Sequence, residues 1–278
     1  MIKDVMVHLD GGPEDTVRIA HAEALAARDG AHLKGLYTNR LPDYGLALPM
    51  DAGAAAAQAL ADAEQETRGA GEAIHRQLQE RFSRLTVPNE VRALHQPSGL
   101  LASLAAREAL CADIFVVTRP YGVSEESGWG DLMRSVLFGS GRALLVVPPR
   151  RRPQGPIRTV MVAWQDTREA ARALREALPF IEQATRTVLV LVDPDTEDAE
   201  PEADVVRHLA RHTARVEAVR VAAGERTTAE ALLDEARRAS ADLVVMGGYG
   251  HSRIAEWVMG GVTVDMLFAS PYPLLMAH

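Results

Sequence analysis

The chain has 278 residues, of which 47% are hydrophobic, 24% charged and only 5% aromatic. That length accommodates one large domain or two of ordinary size. Few aromatics alongside abundant Ala, Val and Leu argue for Ala-rich helices and Val-rich strands, not an aromatic-cored β-sandwich. The 30 basic against 38 acidic residues leave a net charge of −8, which argues against nucleic acid as a partner.

The single cysteine, Cys111, excludes an internal disulfide framework and any CxxC metal or redox motif. It is expected to fill apolar space beside a buried strand. The first residues carry no apolar stretch of signal-peptide length, and no apolar run approaches the roughly 20 residues of a membrane span. The expectation is a cytoplasmic protein with no membrane partner.

In chain order, Asp4-Val-Met-Val-His8 is a short β-type run followed by a helical stretch. A loop with Pro42 and Pro49 precedes a long Ala- and Glu-rich helix at about 54–84. Ala112–Val117 and Ala143–Val147 are further apolar strands. Pro149-Arg-Arg-Arg-Pro153, followed by Gln154-Gly155-Pro156, is charged and strand-incompatible, and reads as a solvated linker. Beyond it, strands fall at 159–164, 187–192, 216–221, 243–246 and 274–276, with helices near 167–183, 201–213, 227–239 and 260–268.

The two halves repeat each other. Gly130-Asp-Leu-Met-Arg-Ser-Val-Leu-Phe-Gly-Ser140 aligns with Gly260-Gly-Val-Thr-Val-Asp-Met-Leu-Phe-Ala-Ser270 at an offset of 130, and Ala112–Val117 with Ala241–Met246 at an offset of 129. Continuous apolar runs such as Val188–Val192 suit strands buried on both faces of a parallel sheet. Ala170, Leu174, Ala177 and Leu178 recur at helical spacing. The expected fold is α/β: two tandem Rossmann-like domains, 1–149 and 157–278, each a five-stranded, mostly parallel sheet flanked by helices. The closing runs, Leu144–Val147 and Leu274–Met276, are expected at sheet edges, which invite pairing.

Ligands of such sheets bind beyond the carboxyl ends of the strands. There the second half reads Gly247-Gly-Tyr-Gly250-His-Ser-Arg-Ile-Ala-Glu-Trp-Val-Met-Gly260-Gly-Val-Thr263. Glycines permit close approach of the backbone to an anion, and Gly260-Gly261 stand where a helix begins, whose free N–H groups favour phosphate. The same glycines also serve as plain chain reversals, and both readings stand at this level. His251 and Ser252 read equally as phosphate contacts or as an exposed polar pair. Trp257, Ile254 and Val258 are spaced to pin the loop to the core. Trp164 reads as packing beneath it. His208 and His212, at i and i+4, have no third metal ligand nearby and read as a solvated helix face.

The spacing Gly247-x2-Gly250-x9-Gly260 resembles the nucleotide loop of the universal stress protein family, and Asp242–Gly247, Ser270–Leu275 and Ala163–Arg172 resemble strands and a helix flanking it. The resemblance extends over both halves. It implies two domains of the adenine nucleotide alpha hydrolase-like fold and a stress-response binding or signalling function. It also implies a weak site in the second half for ATP or another adenine nucleotide, with Mg accompanying ATP as the only metal. The positions it assigns are Ala163, Gln165, Val192, Met246, Gly247, Gly250, Gly260, Gly261, Val262 and Thr263, and the candidates Trp164 and His251, read from the residues themselves, complete the set.

Two of these depart from the family pattern: Gln165 replaces an aspartate and Gly261 a serine or threonine. Each lost hydrogen bond costs ~0.5–1.5 kcal/mol, so the pair weakens affinity by roughly ten- to a hundredfold. In the first half Asp10 keeps the adenine and ribose end, although it reads equally as a turn or capping residue. Pro120 and Asp131 spoil the phosphate end, so no triphosphate is expected there. The resemblance further implies that the halves pack as a pseudo-dimer, with a homodimer as a further expectation. No Walker A motif, no G-x-S-x-G and no acid–base pair at a catalytic spacing is found, so no enzyme is expected. The alternative is a nucleotide-independent dimeric scaffold.

Overall fold

The computed structural model describes residues 1–42, 54–119, 129–193, 202–213, 215–249 and 261–278. Among them each half of the chain contributes five strands. The first supplies β1 (Asp4–Leu9), β2 (His32–Leu41), β3 (Asn89–Pro97), β4 (Ile114–Thr118) and β5 (Ala143–Val147), with helices α1 (Asp15–Asp29), α2 (Ala54–Phe82), α3 (Ser98–Ala109) and α4 (Gly130–Ser140). The second supplies β6 (Thr159–Ala163), β7 (Arg186–Val192), β8 (Val216–Val221), β9 (Leu243–Gly247) and β10 (Leu274–Ala277), with α5 (Arg168–Ile181), α6 (Ala203–Leu209), α7 (Thr228–Ala239) and α8 (Val262–Ala269).

The chain gathers into two compact units. One holds Ile2–Val117 and Trp129–Arg142; the other is built mainly from Ala143–His278. β5 therefore groups with the C-terminal unit. It runs antiparallel to β10, with Leu274 opposite Val146 and Met276 opposite Leu144. β10 is parallel to β9 on its other side. As expected, β10 is the outer strand of the second half's set, β10-β9-β6-β7-β8, and it invites pairing: β5 covers it, so its run Leu274–Ala277 is buried throughout.

In the N-terminal unit β1 lies between β2 and β4, both parallel to it, and β3 lies beyond β2. In the C-terminal unit β6 lies between β7 and β9, both parallel, and β8 lies beyond β7. In both cases the chain builds outwards on one side and then crosses to the other. Strand order thus reverses between β1 and β4 and between β6 and β9, and such reversals open a crevice at the carboxyl ends of the strands.

Local sequence explains the elements. Val5, Met6, Val7 and Leu9, like Val188–Leu191, are buried on both sheet faces, as continuous apolar runs require. Thr167 caps α5 by accepting from the Ala170 N–H at 3.2 Å, and Thr227 with Glu230 forms a reciprocal capping box at the start of α7. Cys111 is exposed, which corrects its expected burial: it sits in the turn after α3, short of β4. Arg151 of the linker donates to the Pro271 carbonyl at 2.7 Å. Among the described residues, no helix is long and apolar enough to cross a membrane.

Candidate functional site

In the C-terminal unit the β6/β9 reversal brings several of the sequence-assigned residues together. Val162 is in register with Val245, so Ala163 and Met246 follow at neighbouring strand ends. Met246 is buried, whereas Ala163 and Trp164 are half-buried and Gln165 is exposed. The Trp164 N–H donates to the Val190 carbonyl at 2.8 Å, which fixes the chain as it leaves β6. Val192 closes β7 and is half-buried. The next residue, Asp193, accepts from the Ala223 N–H at 3.1 Å.

Gly247 lies against the first turn of α5. A Cβ placed there would come 2.8 Å from both the Ala170 nitrogen and the Glu169 carbonyl carbon, a separation real side chains essentially never show. Only glycine lets β9 end this close to α5. The chain then turns through Tyr249, whose φ of 57° is left-handed. The Tyr249 N–H donates to the Thr263 hydroxyl at 3.2 Å, so the glycine turn is tied directly to the first turn of α8. From the other side the Gly248 N–H donates to the Ala277 carbonyl at 2.9 Å, and His278 Nδ1 lies 3.0 Å from the Gly248 carbonyl oxygen.

Gly261 stands at the N-cap of α8 in an extended conformation, and no side chain caps the helix there. Val262 is exposed and Thr263 is buried. A strand end and a glycine turn therefore converge on an uncapped helix start, whose first-turn N–H groups suit a phosphate-bearing ligand. Gly250, His251 and Gly260, like Ser252, Ile254, Trp257 and Val258, lie outside the described residues. His208 and His212 pack ring to ring with centroids 5.0 Å apart, and His212 pairs with Glu182 at 3.1 Å. Among the described residues no group of three His, Cys, Asp or Glu is placed to hold a metal.

The β1/β4 reversal of the N-terminal unit is furnished differently. Asp10, at the end of β1, pairs with Arg18 from α1: Nη2 lies 2.6 Å from Asp10 Oδ1 and 2.5 Å from Asp15 Oδ1. Asp15 also accepts from the backbone N–H groups of Asp10 at 3.1 Å and Gly11 at 2.9 Å, and Asp10 accepts from the Gly12 N–H at 2.9 Å. Gly11 adopts a φ of 78°, and a Cβ there would meet Ile74 of α2 at 2.9 Å, so the turn requires glycine. Arg18 Nη1 lies 3.1 Å from His8 Nδ1, and His8 Nε2 lies 2.8 Å from Thr38 Oγ1. The His8 ring meets Trp129 edge-on at 4.6 Å, and the Arg40 guanidinium stacks 3.6 Å above the Trp129 ring.

Burial and the adjacent Arg18 cation lower His8 to about 3. Burial tends to raise Asp10, but Arg18, His8 and the Gly12 N–H outweigh it and hold the carboxyl at about 2. Asp15 is pushed up to about 6 by burial and by the charge of Asp10, against the pull of Arg18. Asp10, read from sequence either as a retained ligand contact or as a turn or capping residue, is held by an internal cation and accepts from Gly12 two residues on, as a turn residue does. Sequence reading missed Arg18, His8, Arg40 and Trp129; the only local signal was Asp15 and Arg18 at i and i+3 of one helix. Asp131, the residue expected to repel phosphate, pairs with Arg134 one turn on.

Parallel strands flanked by helices, with a crevice at each reversal of strand order, define a Rossmann-like α/β protein. Over 99% of its length the chain resembles a universal stress protein from Archaeoglobus fulgidus DSM 4304, covering 96% of that chain with a TM-score of 0.71 at 16% identity. It also resembles a putative universal stress protein from Pseudomonas aeruginosa UCBPP-PA14, covering 99% of this chain and 93% of that one, with a TM-score of 0.59 at 11% identity. At these identities the likeness establishes the fold alone. The model of the universal stress protein family matches residues 156–278. The glycine loop falls inside the matched segment, and the N-terminal unit falls outside it. No curated protein matches the chain.

Proposed function

We propose that the chain is a tandem universal stress protein, with repeats at 1–149 and 157–278, whose C-terminal unit binds an adenine nucleotide as a signal and not as a substrate. The observation that carries this reading is the Tyr249–Thr263 hydrogen bond, which brings the glycine turn after β9 to the uncapped start of α8. Phosphate would be held by the first-turn backbone N–H groups of α8, because the N–H groups of Gly248 and Tyr249 are already given to Ala277 and Thr263. The base and ribose would lie over Ala163–Gln165 and Val192, with Met246 beneath. ATP would contribute its polyphosphate charge and its Mg. The chain's own part is to orient donors already fixed by the fold, which limits the ordering cost of binding.

Titration calorimetry of the full chain with MgATP tests this. Saturable binding, lost in a Gly247→Val, Gly250→Val variant that keeps its circular dichroism, is the expected result. Absence of saturable binding at millimolar nucleotide overturns it. Phosphate release above that of the variant would overturn the non-enzymatic part.

A further inference from the structure

The carbonyls in the last turn of a helix have no intrahelical partner and take donors from beyond it. For Phe268 of α8 the residue three positions on is Pro271, which has no N–H. The N–H four positions on, that of Tyr272, is given to the Ser270 hydroxyl at 3.1 Å. The Ser270 N–H returns to the Met266 carbonyl at 2.9 Å, and Ser270 itself is extended, with φ −64° and ψ 123°. The helix therefore ends without the left-handed residue that closes many others. No basic residue stands in that turn to offset the negative end of the helix.

A cation arrives from the first half of the chain. Arg119, the residue after β4, donates from Nη1 to the Phe268 carbonyl. Its own N–H donates to the Val147 carbonyl of β5 at 3.4 Å, and its Nε is buried, so the guanidinium is delivered from a fixed stem. Thr118 and Arg119 group with the C-terminal unit, although they follow the last strand of the other. At the offset of 129 that relates the halves, they stand where the second half has Gly247 and Gly248. The backbone plays the same part in both places, since the Gly248 N–H donates to Ala277 as that of Arg119 does to Val147. Where the second half has a glycine turn, the first has a cation directed at α8.

We propose that Arg119 is a positioning residue for the phosphate site of the C-terminal unit, holding the far end of the helix whose first turn receives the phosphate. Nucleotide binding by the second half then depends on a side chain of the first. The proposal rests on the nucleotide reading of that site. At eight residues α8 is about 12 Å long, too short to keep its place by its own hydrogen bonds. Thr263 ties its start to the glycine turn, and Arg119 fixes its end. A cation at that end also acts in the sense that favours an anion at the start.

Titration calorimetry of the full chain with MgATP compares the parent with Arg119→Ala, Arg119→Lys and Arg152→Ala, at a temperature where circular dichroism shows each fully folded. Arg119→Ala should bind roughly two- to fivefold more weakly, as the worth of a cation at a helix end implies. Arg119→Lys keeps a cationic donor and should recover most of the loss. Arg152→Ala removes the same charge from an exposed position in the linker and should change nothing. Amide hydrogen exchange at residues 266–270, followed without nucleotide, should be faster in Arg119→Ala. A contact that only stabilises the fold would lower the denaturation midpoint and leave the affinity of the folded chain intact. That outcome overturns the proposal, as does an equal loss in Arg152→Ala or unchanged exchange in α8. A parent chain without saturable binding overturns the nucleotide reading and this dependence with it, a failure distinct from equal binding by parent and variant. Should Arg119→Ala fail to fold, Arg119→Gln takes its place with the same expectations.

Discussion

The hydroxyl of Thr263, in the first turn of α8, accepts the backbone N–H of Tyr249, the residue that turns the chain beyond β9. Tyr249 is left-handed, a conformation that costs on the order of 1 kcal/mol for a non-glycine residue and persists only where its surroundings enforce it. Thr263→Val keeps the shape and removes the acceptor, leaving that N–H without its partner. A loss of about 1 kcal/mol in urea denaturation is expected, together with weaker nucleotide binding. Thr263→Ser should restore both. Unchanged stability in Thr263→Val would show that other contacts hold the turn.

Gly247→Ala tests the packing beneath the same turn. The added methyl meets the backbone of Glu169 and Ala170, which cannot rotate away as a flexible side chain would. Either β9 or α5 must shift, at a cost of about 1–3 kcal/mol by analogy with other overpacked sites. The expected readout is a lower denaturation midpoint with an unchanged slope. A fully native midpoint would mean that the contact yields without penalty.

The N-terminal centre makes a prediction about pH in which two effects oppose each other. His8 is at about 3 in the fold against 6.5 unfolded, so its contribution is full above 6.5 and is lost as pH falls towards 3. Asp15 is at about 6 against 3.8, so its contribution is greatest below 3.8 and declines as pH rises through 6. Asp10, at about 2, contributes above 3.8 and loses that contribution as pH falls through 2. Between pH 4 and 6, therefore, His8 and Asp15 nearly cancel. Relative to the parent chain, Asp15→Asn should lose stability as pH falls through this window. His8→Gln should gain it, by up to about 1.4 kcal/mol per pH unit in either case. Parallel pH profiles for all three chains would refute the assignment.

The two halves of the chain differ in how far their sites could be read from sequence. In the C-terminal half the strand from Leu243 to Gly247 and the glycines after it lie close together in sequence, so spacing alone locates the turn. The role of Thr263 was less visible. Its hydroxyl reads as a ligand contact, whereas the fold commits its acceptor to Tyr249, a bond that exists only once β9 and α8 are packed. In the N-terminal half Asp10 reads as a ligand contact or a turn residue, and its ion pair is hidden because Arg18 comes within reach only after α1 folds back onto β1. Arg40 and Trp129 are 89 residues apart in sequence and carry no motif. That β5 covers the outer edge of β10 was hidden for a related reason. A strand's neighbours depend on topology, and Leu274–Ala277 would read the same at an edge.

Gly261 offers the most direct test of what the site lacks. It occupies the N-cap of α8 with φ −80° and ψ 168°, a conformation open to any residue, and no side chain caps the helix. Gly261→Ser should therefore be accommodated without strain. The new hydroxyl can satisfy a first-turn N–H in the free protein, which adds at most a few tenths of a kcal/mol over glycine. With nucleotide bound, the same hydroxyl can instead donate to a phosphate oxygen. A net gain of about 1 kcal/mol on that contact corresponds to roughly fivefold tighter MgATP binding. Stability and affinity measured on the same variant separate the two roles. A more stable helix with unchanged affinity would place the phosphate away from α8, and tighter binding with little change in stability would place it at the start of that helix.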